Sequence, residues 1–260
     1  MCGIIGTVGS EPCVPIIVEG LKRLEYRGYD SAGLAVIRDG ELVTRRAEGK
    51  LRNLVHTLED HPVEGTIGIG HTRWATHGRP TEQNAHPHCM GTVAVVHNGI
   101  IENHLELKEE LAAEGHTFES ETDTEVVAHL VWRERERGLG LTEAVTKALH
   151  RLEGAYAVVV LDANEPELMV AARHASPLVL GLAEDAGYVA SDIPAILSHT
   201  RRVVFLADGT LAEVRASGSR LLSVDTGEEL PIEETQITWS PAMAEKGGYK
   251  HFMLLSLIHI

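Results

Sequence analysis

A chain of 260 residues with 43% hydrophobic and 23% charged side chains has the composition of a globular protein and the length for a sizeable core. Its 38 acidic against 23 basic side chains leave a formal charge of −15, which argues against a nucleic-acid backbone as ligand, and an aromatic share of 4% argues against a platform for stacked bases. Three cysteines without C-x-x-C or zinc-ligand spacing (Cys2, Cys13 and Cys89), no signal-peptide pattern and no apolar run long enough to cross a bilayer point to a cytoplasmic protein with small-molecule partners, no nucleic acid and no membrane.

The predicted elements begin with a strand over Ile4 to Val8, followed by a helix that starts near Pro12 and Pro15 and carries Ile17, Val18, Leu21 and Leu24 as its apolar stripe. Leu34 to Ile37 and Leu42 to Ala47 form a hairpin around Asp39-Gly40. Thr66 to Gly70 is β-rich and leads into HTRWATHG, His71 to Gly78, expected on a loop. Val93 to His97 is a strand closed by Asn98-Gly99, after which Asn103 is placed to cap a helix through Leu105, Leu107 and Leu111. Helices over Thr122 to Arg137 and Leu141 to Leu152 lead to the strand Tyr156 to Leu161. Short strands then follow at Leu168 to Ala172, Leu178 to Gly181, Val203 to Leu206, Leu211 to Val214 and Leu221 to Val224, with Asp208-Gly209 and Thr226-Gly227 as turns. Strands in runs with helices gathered in pairs favour two packed sheets flanked by helices in one domain. Pro231 to Gly248 reads as polar loop. Met253 to Ile260 is almost wholly apolar and is expected to be a truncated end or an expression scar outside the fold.

Cys2 carries the strongest chemical signal. Removal of Met1 would leave a thiol and a free α-amino group on one residue, a nucleophile with its own base, since the two groups titrate within about a unit of each other. Position alone also allows a cysteine that is merely part of an apolar strand. Arg73 offers a planar fork suited to an α-carboxylate, or else a surface ion pair. Asn98-Gly99 reads as a tight turn, or as an amide and a backbone N–H aimed at an oxyanion. Asp123 reads as an acidic residue in the first turn of a helix, or as the partner of an ammonium group. An arginine for a carboxylate and an aspartate for an ammonium together suit a zwitterionic amino acid. His71, His77, His86, His88 and His97 raise a metal site, best at His86-x-His88, but no carboxylate lies at ligand spacing, so no metal is expected.

MCGIIG, LEYRGYDSAG (Leu24 to Gly33), HTRWATHG, NAHPH (Asn84 to His88), HNGIIEN (His97 to Asn103) and SETDTEV (Ser120 to Val126) together resemble the glutaminase domain of the glucosamine-6-phosphate synthases, within the class II glutamine amidotransferases. The resemblance spans nearly all of residues 1 to 254. It implies an α+β, N-terminal nucleophile hydrolase fold, a four-layer αββα sandwich of two mainly antiparallel sheets, in a domain over residues 1–240 followed by the start of a linker. It further implies Cys2 as nucleophile with its α-amino group as base, and Asn98 and Gly99 as the oxyanion hole. Arg73 and Asp123 would hold the glutamine α-carboxylate and α-ammonium, and Trp74, Thr76 and His77 would line the same site. Arg27 and His86 would support it. The implied reaction is hydrolysis of L-glutamine to glutamate and ammonia through a thioester, with no cofactor. Fructose 6-phosphate would be a substrate only of a full-length parent carrying isomerase modules. The isolated domain is expected to be a monomer, the parent a homodimer.

Three other readings compete. Another class II amidotransferase, such as the purine-pathway enzyme that uses phosphoribosyl pyrophosphate, would share these roles, but LEYRGYDSAG argues against it. A silent glutamine-binding domain would have lost the nucleophile or an oxyanion donor, and a cysteine protease would show its own signature around the cysteine; neither is seen.

Overall fold

The computed structural model describes residues 2–75 and 77–238. In chain order the elements are β1 (Gly3–Gly9), α1 (Cys13–Leu24), β2 (Ser31–Arg38), β3 (Glu41–Glu48), α2 (Leu51–Asp60), β4 (Ile67–Arg73), β5 (His88–Met90) and β6 (Val93–Ile101). After them come α3 (His104–Ala113), α4 (Glu125–Glu136), α5 (Leu141–Leu149), β7 (Gly154–Asp162), β8 (Met169–His174), β9 (Val179–Leu182) and β10 (Ala186–Ala190). The chain continues with β11 (Arg202–Phe205), β12 (Thr210–Arg215), β13 (Gly218–Ser223), β14 (Glu229–Leu230) and β15 (Thr235–Gln236).

The strands form an eight-stranded sheet in the order β15-β11-β9-β10-β1-β4-β2-β3 and a seven-stranded sheet in the order β14-β13-β12-β8-β7-β6-β5. The ladders between these strands are antiparallel. Side chains alternate across a strand, so each central strand feeds two cores at once. Ile4 points between the sheets while Ile5 points to the outer layer with Ile17, Leu21 and Leu54 of α1 and α2. Likewise Ala157 and Val159 of β7 face the first sheet, whereas Val158 and Val160 pack on Leu107, Leu130 and Val145 of α3, α4 and α5. The result is the four-layer αββα sandwich of α+β class. Both faces of β1, β6 and β7 are covered, which is why the stretches 4–5, 93–96 and 157–161 within them read as continuous apolar runs.

The hairpin at Asp39-Gly40 forms as read, with φ of 51° and 77° matching the twist of its strands. Other expectations are corrected. His71, Thr72 and Arg73 are not loop but the end of β4, held by pairing on both sides (Thr72 with Gly3 and Ala32, His71 with Ile4 and Gly33). Asn98-Gly99 does not turn: β6 runs through it, pairing Asn98 with Ala157 and Gly99 with Tyr156. The ladder with β7 outweighs the local turn preference. Asn103 occupies the position before α3 without capping it; its amide bonds Arg151 O at 2.8 Å and the Glu153 N–H at 3.1 Å, tying α3 to the α5–β7 connection. Leu105 is exposed and only Leu107 and Leu111 of its stripe are buried. Asp123 lies before α4, which starts at Glu125, and α5 stops at Leu149 rather than Leu152. β5 and β10 were unmarked by periodicity. Within the segment read as polar loop, Thr235–Gln236 pairs as an edge strand, and the apolar tail lies outside the described residues.

Candidate active site

The site lies where the first residues of β1 meet the ends of β4 and β6. Because Gly3 pairs with Thr72, Cys2 falls beside Arg73 and Trp74. Its Sγ accepts the Trp74 N–H at 3.2 Å, and its carbonyl accepts from Arg27 Nε and from Asn98 Nδ2, each at 3.1 Å. Asn98 belongs to the other sheet, so the contact with Cys2 crosses the sandwich. Burial pushes the Cys2 thiol above its ordinary range; the Trp74 N–H pulls it back down, while Asp30 raises it and Arg73 lowers it. The thiol is thus held by a donor that favours thiolate once a base removes its proton.

Arg27 is buried, and its Nη1 pairs with Asp192 at 3.1 Å, with Tyr26 also donating to that carboxylate. The neighbouring Ser191 Oγ accepts the Ile4 N–H at 3.0 Å. The terminal strand is therefore pinned from both sides. Asp30 accepts the Ala75 N–H, and its own N–H reaches Arg73 O at 3.1 Å, fixing the chain as it leaves β4. Beyond it, Trp74 is 48% exposed and meets Tyr29 edge-on with ring centroids 5.5 Å apart. Thr76 lies outside the described residues.

Arg73 is buried and turns its guanidinium into the following loop, donating to the carbonyls of His77, Gly78 (3.3 Å) and Arg79 (3.2 Å). That loop is latched to the segment before α4: Asn84 Nδ2 donates to Glu121 Oε2 at 3.1 Å, Asn84 Oδ1 accepts the Glu121 N–H at 2.9 Å, and Glu121 Oε2 accepts the Arg79 N–H at 3.2 Å. Asp123 is buried. One of its oxygens accepts the Ile101 N–H at 2.8 Å, and the other lies 3.9 Å from His77 Nδ1. Behind it, Glu125 accepts from the N–H groups of Glu119 and Ser120 and from the Ser120 hydroxyl at 2.7–2.8 Å. Burial opposes charge on Glu125, but hydrogen bonds from His129, Glu119 and Ser120 outweigh it and bring the carboxyl to about 2.

The histidines divide into two groups. His77 sits on the loop beside Asp123, while His71, His86, His88 and His97 are buried between the sheets and α4. Threonine hydroxyls meet three of the buried rings: Thr124 Oγ1 lies 2.8 Å from His86 Nε2 and 2.9 Å from His97 Nδ1, and Thr122 Oγ1 lies 2.9 Å from His88 Nε2. Burial holds His86 well below the usual imidazole range, so it is a neutral element of the core. No group of metal-holding geometry occurs among the described residues.

The structure thus gathers Cys2, Arg27, Arg73, Trp74, His77, Asn98, Gly99 and Asp123 around one end of the sandwich, with His86 buried against His71 and Thr124. Sequence reading passed over Asp30, Asn84, Glu121, Glu125, Ser191 and Asp192. Four of these lie inside or beside the quoted motifs, whereas Ser191 and Asp192 carry no local mark, being 165 residues or more from their partners.

A model of the glutamine amidotransferase domain matches residues 71–198. Glutamine–fructose-6-phosphate aminotransferases (isomerizing) from Clostridium tetani and Pyrococcus horikoshii are 50% and 51% identical over 98% of this chain, which spans 42% and 43% of their lengths. Among solved structures, glutamine phosphoribosylpyrophosphate amidotransferase from B. subtilis is 28% identical with a TM-score of 0.75, covering 86% of this chain and 50% of that one. A glutamine aminotransferase class-II domain protein from Silicibacter pomeroyi shares the fold at 18% identity, with a TM-score of 0.58 over 85% of this chain and 99% of that one. The architecture is the N-terminal nucleophile hydrolase fold that the motifs implied. The far higher identity to the fructose-6-phosphate enzymes than to the purine one agrees with what LEYRGYDSAG implied, and the chain belongs to the glutamine amidotransferase family.

Proposed function

We propose that this chain hydrolyses L-glutamine to L-glutamate and ammonia, as the glutaminase half of an enzyme that forms glucosamine 6-phosphate from fructose 6-phosphate. With Met1 removed, the α-amino group of Cys2 takes the thiol proton, and Sγ attacks the side-chain amide carbon of glutamine. The tetrahedral oxyanion is met by Asn98 Nδ2 and the Gly99 N–H. As the carbon–nitrogen bond breaks, the α-ammonium returns its proton to the leaving nitrogen, releasing ammonia and a γ-glutamyl thioester. Water, deprotonated by the same amine, then cleaves the thioester to glutamate and restores the thiol. Arg73 receives the substrate α-carboxylate and Asp123 its α-ammonium, with Trp74 shielding the thiol, Thr76 and His77 as further substrate-binding residues, and Arg27 supporting the terminus. All groups come from the chain itself, and residues 1–240 constitute the domain.

The observation that carries this reading is the convergence at Cys2: its Sγ held by the Trp74 N–H and its carbonyl by the Asn98 amide from the opposite sheet. Such a site places a nucleophile beside a fixed donor. Fructose 6-phosphate and a homodimer belong to the longer parent. The chain alone is a cytoplasmic monomer in this reading, and a light-scattering mass twice that of the chain would refute the monomer. The test is glutamate release from glutamine without any sugar phosphate, beside a Cys2→Ala variant. Release that vanishes in the variant is expected. Undiminished release by the variant would overturn the assignment of the nucleophile.

A further inference from the structure

We propose that His71 is a positioning residue for this reaction: its Nε2–H fixes which way round the Asn98 side-chain amide lies, so that Nδ2 rather than Oδ1 faces the reacting centre. The proposal rests on the glutaminase reading of Cys2 and Asn98.

The argument runs through a chain of donors and acceptors. Asn98 Nδ2 lies 3.1 Å from Cys2 O, a carbonyl that can only accept, so the amide nitrogen faces Cys2. The other end, Oδ1, then lies 3.0 Å from His71 Nε2, and the same nitrogen is 3.1 Å from His97 O. Both neighbours are acceptors. Nε2 therefore carries the proton and Nδ1 is bare; Nδ1 is buried without a hydrogen-bond partner. With the opposite tautomer, three lone pairs would meet, and the amide could turn over, aiming Oδ1 at the oxyanion. The ring itself has no freedom to accommodate that. His71 is fully buried, paired through β4 with Ile4 and Gly33, and its ring lies against His86 with centroids 4.1 Å apart. Burial brings His71 down to about 3, so it acts as a neutral donor, adding no positive charge beside the terminus.

Removing one oxyanion donor lowers kcat by about 10²–10³-fold, and an amide free to turn over should lose a substantial part of that. His71→Leu is expected to lower kcat at least about tenfold while KM for glutamine stays within about twofold, because the donor matters only once negative charge develops. His71→Gln, whose amide N–H can reach the same Oδ1, should recover most of kcat. In combination with Asn98→Ala, His71→Leu should add nothing. A purely structural role predicts instead that the two losses multiply, which would overturn the proposal. A readout independent of activity and of any variant's folding is the ¹⁵N spectrum of the His71 imidazole in the unmodified chain. Protonated Nε2 with bare Nδ1 is expected, and protonated Nδ1 would sink the proposal outright. If Cys2→Ala still releases glutamate, the reading of the site fails and this proposal with it. If Cys2→Ala is inactive but the His71 and Asn98 losses multiply, the positioning role alone fails.

Discussion

Replacing Gly99 by alanine separates two properties that meet at one position, the ladder between β6 and β7 and the proposed oxyanion donor. Gly99 has φ of +138°, a region held almost solely by glycine and costing about 1–3 kcal/mol for another residue. A Cβ there would lie 1.9 Å from Ala155 O, 2.7 Å from Ala155 C and 2.9 Å from His97 Nε2. Carbon contacts are normally about 3.5–4.0 Å, so the two strands must separate by more than about 1 Å, weakening ladder bonds worth about 1 kcal/mol each. Gly209 is the control: its φ is +73°, yet nothing lies within 4 Å of an added Cβ. Gly209→Ala should therefore show only the left-handed penalty of about 1–2 kcal/mol, and Gly99→Ala that kind of penalty plus the clash, about 3–5 kcal/mol. For a domain of this size about 2–4 °C of Tm is lost per kcal/mol. Thermal melts followed by circular dichroism should place Gly99→Ala about 2–16 °C below Gly209→Ala. Equal melting temperatures would refute the claim that close backbone approach requires glycine at Gly99. Whatever Gly99→Ala remains folded should also lose glutaminase kcat, whereas Gly209→Ala should keep it.

Glu125→Gln should weaken the protein at pH 7 by about 2 kcal/mol, since a carboxylate holding three donors is replaced by a neutral amide. The folded carboxyl titrates near 2 against an ordinary 4.5, so its contribution is complete above the unfolded value and is lost as pH falls through the folded one. Urea melts of the two proteins should converge between about pH 4.5 and 2, and a gap unchanged at pH 3 would count against an ionised Glu125. Asn84→Ala removes two hydrogen bonds of the latch between the Arg73 loop and the Glu121 segment. It should raise KM for glutamine by about 5- to 50-fold at roughly constant kcat; initial-rate kinetics showing kcat falling with unchanged KM would contradict this. Arg27→Met removes the cation paired with Asp192, leaving it the Tyr26 hydroxyl and the Ile193 N–H, and takes one donor from the Cys2 carbonyl; it should lower stability by about 1–3 kcal/mol in thermal melts. An unchanged Tm would mean that this pairing does not anchor the terminal strand.

Where the sequence was legible, local pattern and tertiary setting agreed: the apolar run of β1, the Asp39-Gly40 hairpin and the stripe of α1. It misled where a long-range partner outweighed a local preference. Asn98-Gly99 is a strong turn signal, yet nine residues of β6 pair continuously with β7, and the turn is suppressed. His71, Thr72 and Arg73 break the apolar pattern of β4, and so look like loop. They remain strand because β1 and β2 flank them, while the His71 ring finds Asn98 in the other sheet and the Arg73 guanidinium finds the carbonyls of the loop that follows. β10 has a short, weakly apolar stretch whose place next to β1 is set by tertiary pairing alone.

The same division runs through the site. The groups proposed to touch glutamine lie in compact motifs and could be named from sequence. The groups that aim them are of two kinds. Asp30, Glu121 and Glu125 sit inside the motifs, and act by holding backbone N–H groups, a role that residue type alone does not reveal. Ser191 reaches the terminal strand from far along the chain, and Asp192 reaches it through Arg27. A thiol at a chain terminus would otherwise be among the least ordered groups in a protein. Here the Cys2 carbonyl receives two side-chain donors, its sulfur accepts a backbone N–H, and the Ile4 N–H donates to a serine hydroxyl oxygen. Both sheets supply these contacts, so formation of the β1, β4 and β6 ladders and assembly of the proposed nucleophile are one event. Perturbations that loosen the sandwich at this end should therefore lower activity and stability together.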